Sequence, residues 1–147
     1  MPYEFKMTRR VEFADTDMAG IAHFTALFRY MEETEHAFYR SLGFSVHTRE
    51  TDRILGMPRV AAGCEFRRPL HFEEEVEVHL IVRERTDRAI AYDFVFRKNE
   101  EGEMCEAARG HMAVVYAALD DSEQRICVVD LPEHIVAKID VAPTELS

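Results

Sequence analysis

The sequence predicts an α+β fold in which one long helix covers an antiparallel sheet. Two observations carry that expectation. One stretch repeats its apolar residues at helical spacing, and the segments around it alternate apolar with polar residues as half-buried strands do. Their order is strand, long helix, then four strands, and a sheet of that length can wrap around the helix. With 147 residues, 47% of them apolar, and only six Gly and five Pro, the chain is expected to form one packed domain over residues 1–147.

The elements follow in order. Tyr3, Phe5, Met7, Val11 and Phe13 share one parity and Glu4, Lys6, Thr8, Arg10 and Glu12 the other, the period of a strand, with Arg9 breaking the apolar row. Asp15 to Gly20 has the composition of a loop, and Thr25 is placed to cap a helix. From Ala26, the residues Leu27, Met31, Thr34, Phe38 and Leu42 recur at helical spacing, widened by Phe28, Tyr30 and Ala37; Arg29, Glu32, Glu33, His36 and Arg40 form the wet side. Gly43 then supplies the left-handed residue that ends a helix of roughly five turns.

Phe44 to Arg59 is expected to connect, with a short helix near His47 to Leu55. Four strands follow: Val60 to Arg68, Glu74 to Arg85, Ala89 to Lys98 and Met104 to Tyr116. Val76, Val78, Leu80 and Val82 on one, and Ile90, Tyr92, Phe94 and Phe96 on the next, give the alternation. Thr86-Asp87-Arg88 and Asn99-Glu100-Glu101-Gly102 are turns, and Pro69, which cannot donate to a ladder, ends the first of the four strands. Pro132 suits the first turn of a short helix running to about Ile139.

Composition excludes several functions. No apolar run approaches the roughly 20 residues of a membrane helix, and Met1-Pro2-Tyr3-Glu4 lacks the basic start of an export signal, so no membrane partner and a cytoplasmic location are expected. Cys64, Cys105 and Cys127 form no Cys-x-x-Cys pair, and the seven histidines are scattered, so no metal is expected. The net charge of −10 would repel a nucleic-acid backbone. There is no Gly-x-Ser-x-Gly elbow, phosphate-cradling glycine loop or His-Glu-x-x-His pair.

What remains is Asp15-Thr16-Asp17-Met18-Ala19-Gly20-Ile21-Ala22-His23-Phe24, between the first strand and the helix. Paired aspartates before a helix are by themselves ordinary turn formers. This block, with Val11-Glu12-Phe13 before it and Phe28-Arg29-Tyr30-Met31-Glu32 after it, resembles the 4-hydroxybenzoyl-CoA thioesterase family of hot-dog proteins. Phe66-Arg67-Arg68-Pro69-Leu70 and Leu131-Pro132-Glu133 keep the order of that family along most of the chain.

The resemblance implies a hot-dog fold, a five-stranded antiparallel sheet wrapped around one long helix, paired into homodimers or homotetramers with sites at the subunit interface. It implies hydrolysis of an acyl-CoA to free acid and coenzyme A, with no cofactor beyond the coenzyme A of the substrate. Asp17 matches the catalytic carboxylate, the backbone N–H of Phe24 the oxyanion contact, and Gly20 the glycine of the loop. Arg88 above all, with Arg85 and Arg83, matches basic residues that face coenzyme A phosphates; Arg67 and Arg68 are secondary candidates. His23 departs from the family, where many members carry an aromatic there and a histidine one residue later, and it is read as a further catalytic candidate, a substrate contact or a loop residue. Leu27 replaces a tyrosine common in relatives.

The chemistry of the residues agrees. A thioester carbonyl gains negative charge on attack, and a helix start offers free N–H groups and the positive end of its dipole. Asp17 would attack directly, giving a mixed anhydride, or would activate water. Asp15 is read as structural, bonding backbone N–H groups of the loop. Glu32, Glu33 and Glu35 are read as belonging to the wet side of the helix, with Glu32 and Glu33 the fallback carboxylates. Two further readings stay open: a thioesterase acting on acyl carrier protein, and an acyl-binding protein without catalysis.

Overall fold

A computed structural model describes residues 1–144. Strand β1 (Glu4–Arg10) is shorter than the alternation suggested, because Val11 turns inward and is fully buried while Phe13–Asp15 coils into one 3-10 turn. Helix α1 (Phe24–Ser41) follows. Its cap is His23 and not Thr25. The His23 backbone is extended (φ −62°, ψ 145°) and its Nδ1 accepts the Thr25 N–H at 3.3 Å, so the helix begins two residues earlier than expected.

The far end of α1 matches the reading of Gly43. With φ at +95°, Gly43 donates to the Arg40 carbonyl at 3.0 Å while Phe44 donates to that of Tyr39 at 3.2 Å, which satisfies two carbonyls the helix leaves open. The buried face carries Ala26, Leu27, Tyr30, Met31, Thr34, Phe38 and Tyr39.

Glu35 corrects the assignment of the wet side. It is 0% exposed, with Oε1 accepting from Arg59 at 2.7 Å and the Tyr39–Tyr92 hydroxyl pair packed nearby. Burial pushes its carboxyl up from the ordinary range, with Arg59 opposing that shift. The sheet curls far enough around α1 to reach a side of the helix that a flat sheet would have left in water.

That sheet is antiparallel, with strands β4 (Arg59–Phe66), β5 (Glu75–Arg85), β6 (Ala89–Glu100) and β7 (Glu103–Val115) in the order β1-β5-β6-β7-β4. Val76, Val78, Leu80 and Val82 face α1 beside Ile90, Tyr92, Phe94 and Phe96, and all are buried. Gly110 on β7 lets the helix approach, since a Cβ there would collide with Met31 Sδ. On the outer face, Ile81 and Val95 are covered by Ala142 and Tyr3.

The expected helix near His47 to Leu55 does not form. Strands β2 (Thr48–Arg49) and β3 (Arg53–Gly56) join β8 (Ala117–Asp120) and β9 (Ile126–Val128) in a second, four-stranded sheet ordered β2-β3-β8-β9. Ile54 and Leu55 lie opposite Leu119 and Ala118, partners more than sixty residues away that no local periodicity reveals. The last helix, α2 (Glu133–Val136), is shorter than expected, with Pro132 as its cap. No helix among the described residues is long and apolar enough to cross a membrane.

Candidate active site at the start of the long helix

The Asp17 segment is a tight hairpin. Thr16 pairs with Ala22, the Asp17 N–H donates to the Ile21 carbonyl and the Gly20 N–H to the Asp17 carbonyl, each at 3.0 Å. Gly20 has φ +80° with open space around its Cβ position, so glycine is required there by the backbone. Asp17 Oδ1 accepts the Ala19 N–H at 2.8 Å, the self-capping turn that aspartate favours. Its other oxygen has no partner among the described residues, and the residue is exposed.

Asp15 does the opposite work. It is 3% exposed; Oδ2 accepts from Tyr30 Oη at 2.7 Å and the Glu12 N–H at 2.9 Å, while Oδ1 accepts from both Arg29 guanidinium nitrogens at 3.1 Å. Arg9 stands 3.6 Å from Oδ2. Burial alone would raise the carboxyl, but these donors outweigh it and hold Asp15 below the usual range. Its carbonyl accepts the His23 N–H at 2.7 Å, so one residue fastens the hairpin to the start of α1.

The next amide, that of Phe24, has no hydrogen-bond partner among the described residues. Phe24 and Asp17 line the same cleft of about 530 Å³, walled by Leu27, Phe66, Pro69 and Leu70 and flanked by Arg67 and Arg68. Asp17 and Phe24, a carboxylate and a residue whose amide is free, therefore line one apolar cleft, the pair of groups that attack on a carbonyl requires. His23 is placed beside the cleft as the helix cap, its Nδ1 2.7 Å from Thr25 Oγ1 and its ring 4.7 Å from that of Phe24.

The arginines divide. Arg67 pairs with Glu106 and Arg68 with Glu100, and both line the cleft. Arg83, Arg85 and Arg88 are not brought to Asp17 within the chain. Glu75 begins β5 beside the hairpin, because His71 bridges Ile21, and Arg85 ends it about 30 Å away at strand rise. Arg83 is held by Asp93 at 2.7 Å, Arg85 by the carbonyls of Val136 and Ile139, and Arg88 by Asp130 at 2.9 Å. Sequence reasoning missed a second depression of about 550 Å³ on the other side of Asp17, formed by Phe13, Met18 and Phe72. Its only signal was two phenylalanines, far apart in sequence, flanking polar turns.

Residues 11–139 match the Thioesterase-like superfamily. The chain belongs to that superfamily. The chain is similar to the 1,4-dihydroxy-2-naphthoyl-CoA hydrolase of Gloeothece citriformis, 26% identical over 138 residues, covering 93% of this chain and 94% of that one. A gentisyl-coenzyme A thioesterase of known structure is 28% identical, with a TM-score of 0.72 over 90% of this chain and 99% of its own. The 4-hydroxybenzoyl-CoA thioesterase of Pseudomonas, 16% identical with a TM-score of 0.77 over 92% of this chain and 99% of its own, shares the fold. The sheet curled around α1 is thus the hot-dog fold of this superfamily, as the loop motif implied.

Proposed function

We propose that this member of the thioesterase-like superfamily hydrolyses an acyl-CoA to free acid and coenzyme A, as one domain over residues 1–147 acting in the cytoplasm. The observation that carries the reading is one apolar cleft lined by the exposed Asp17 and by Phe24, whose amide has no hydrogen-bond partner among the described residues. The amide receives the developing oxyanion, a donor worth roughly a hundred- to a thousandfold in rate, and Asp17 attacks the carbonyl or delivers water. The chemistry needs no metal or added cofactor.

An aromatic acyl group fits best. The lining is apolar, with Phe24 and Phe66 contributing exposed rings, and the relatives named above act on aryl thioesters. A second copy is expected to complete the site. Strand β4 is an edge with Val60, Ala61 and Ala62 exposed, free to pair as unprotected edges do, and it runs directly into the Phe66–Leu70 wall.

The test is free thiol release from aryl, short-chain and long-chain CoA thioesters and from a carrier-protein thioester. Turnover is expected on aryl-CoA. Turnover only on the carrier protein would transfer the reading to that substrate, and tight binding without turnover would make the protein an acyl-binding one.

The same assay addresses the phosphates. The Arg88–Asp130 pair is exposed on both sides and so weak, leaving Arg88 free to exchange its partner for a phosphate presented across the assembly. Arg83 and Arg85 are held more firmly. Arg88→Ala is expected to raise KM about tenfold with kcat unchanged. An unchanged KM there, with a raised KM in Arg68→Ala, would place the phosphates at the rim of the cleft instead.

A further inference from the structure

Strand β6 carries a lysine where its pattern calls for an apolar residue. Lys98 continues the inward parity of Phe94 and Phe96 and is 3% exposed. Its Nζ donates to the Pro69 carbonyl at 2.7 Å and faces Glu74, whose two oxygens lie 3.3 and 3.4 Å away. Glu74 Oε1 also accepts the His71 N–H at 2.6 Å. One ammonium thus grips both ends of the Pro69–Glu74 segment.

That segment is the wall of the cleft and the support of the hairpin. The Leu70 carbonyl accepts the Ala22 N–H at 2.7 Å, and His71 bridges Ile21; Pro69 and Leu70 line the cleft with Asp17 and Phe24. Stability alone does not call for a lysine, since replacing a buried ion pair with apolar packing is often neutral or stabilising. A methionine would extend the row of Phe94 and Phe96 without burying a charge.

We propose that Lys98 is a positioning residue for the hydrolysis, fixing the Pro69–Glu74 segment so that Asp17 and the Phe24 amide stand at their working separation. The proposal rests on the reaction assigned above. Catalysis is sensitive to such placement, a displacement of about 1 Å costing up to a hundredfold in rate.

The experiment measures kcat, KM and melting temperature on an aryl-CoA for the wild type, Asp17→Asn, Lys98→Met, Lys98→Arg and Glu74→Gln. Lys98→Met is expected to lower kcat by about ten- to a hundredfold with KM within about threefold, and Lys98→Arg, which can still bridge Pro69 and Glu74, to recover most of the loss. A folded Lys98→Met with wild-type kcat, or a loss no larger than its unfolded fraction, overturns the proposal. Should Lys98→Met not fold, Glu74→Gln keeps the acceptor for His71 but removes the charge facing Lys98, and an unchanged kcat there overturns it equally. Asp17-dependent turnover that ignores Lys98 sinks the positioning role alone. Absence of Asp17-dependent turnover in the wild type sinks the hydrolysis reading, and the positioning role with it.

Discussion

Asp17→Asn is expected to lower turnover by about a hundred- to ten-thousandfold, the range for losing a positioned acid–base group, while the melting temperature hardly moves. The two halves of that expectation have separate causes. Stability is spared because Asp17 is exposed and uses one oxygen, accepting the Ala19 N–H; an asparagine carbonyl accepts the same bond, so the turn survives. Activity is lost because the other oxygen, unpartnered and beside the cleft, becomes an amide nitrogen that neither attacks a carbonyl nor accepts a proton from water.

Steady-state thiol release beside a thermal melt reads both halves. Retained turnover in the folded variant would remove Asp17 from the reaction. The fallback carboxylates are poorly placed to replace it: Glu33 is tied to Arg9 at 2.8 Å and Glu32 stands 3.5 Å from Arg59. Retained turnover together with loss in Glu32→Gln or Glu33→Gln would nevertheless move the chemistry onto the helix.

Local signals explain which parts of this arrangement the sequence disclosed. The helix, its glycine stop and the four long strands each declare themselves within a few residues, through spacing or through a turn residue whose backbone only glycine or proline suits. The Asp17 hairpin is equally local, since Gly20 and the aspartate self-cap act within four residues. The second sheet was hidden because strands of two to four residues are held by distant partners and not by their own pattern. Glu35 was misjudged for a related reason: its partner Arg59 arrives from β4 only once the sheet has curled. The wall of the cleft had a visible proline, but the hydrogen bond from Ala22 to Leu70 joins two segments that nothing in the chain order connects.

Asp15→Ala is expected to be the most destabilising change at the site, because the buried Asp15 carboxylate ties the hairpin to β1 and α1 at once. The substitution strips the buried Tyr30 hydroxyl and the Glu12 N–H of their acceptor and leaves Arg29 and Arg9 without their shared carboxylate. Breaking a buried pair costs roughly 3–5 kcal/mol. Arg29 is half exposed and recovers some hydration, so a loss near the lower bound, about 3 kcal/mol, is expected, or roughly 6–12 °C in melting temperature for a domain of this size. The pH dependence has a definite sign. The folded carboxyl titrates below its ordinary value, so its contribution is complete above the unfolded pKa of about 4 and disappears as pH falls through the lower folded pKa. The melting curves of Asp15→Ala and the wild type should therefore stay apart at neutral pH and converge in acid. Equal melting temperatures at pH 7 would mean that Arg9, Arg29 and Tyr30 hold the loop without the carboxylate. Turnover should fall as well, at temperatures where the variant is fully folded, because the Asp15 side chain holds in place the backbone carbonyl that receives the His23 N–H and so sets the first turn of α1 beside the cleft.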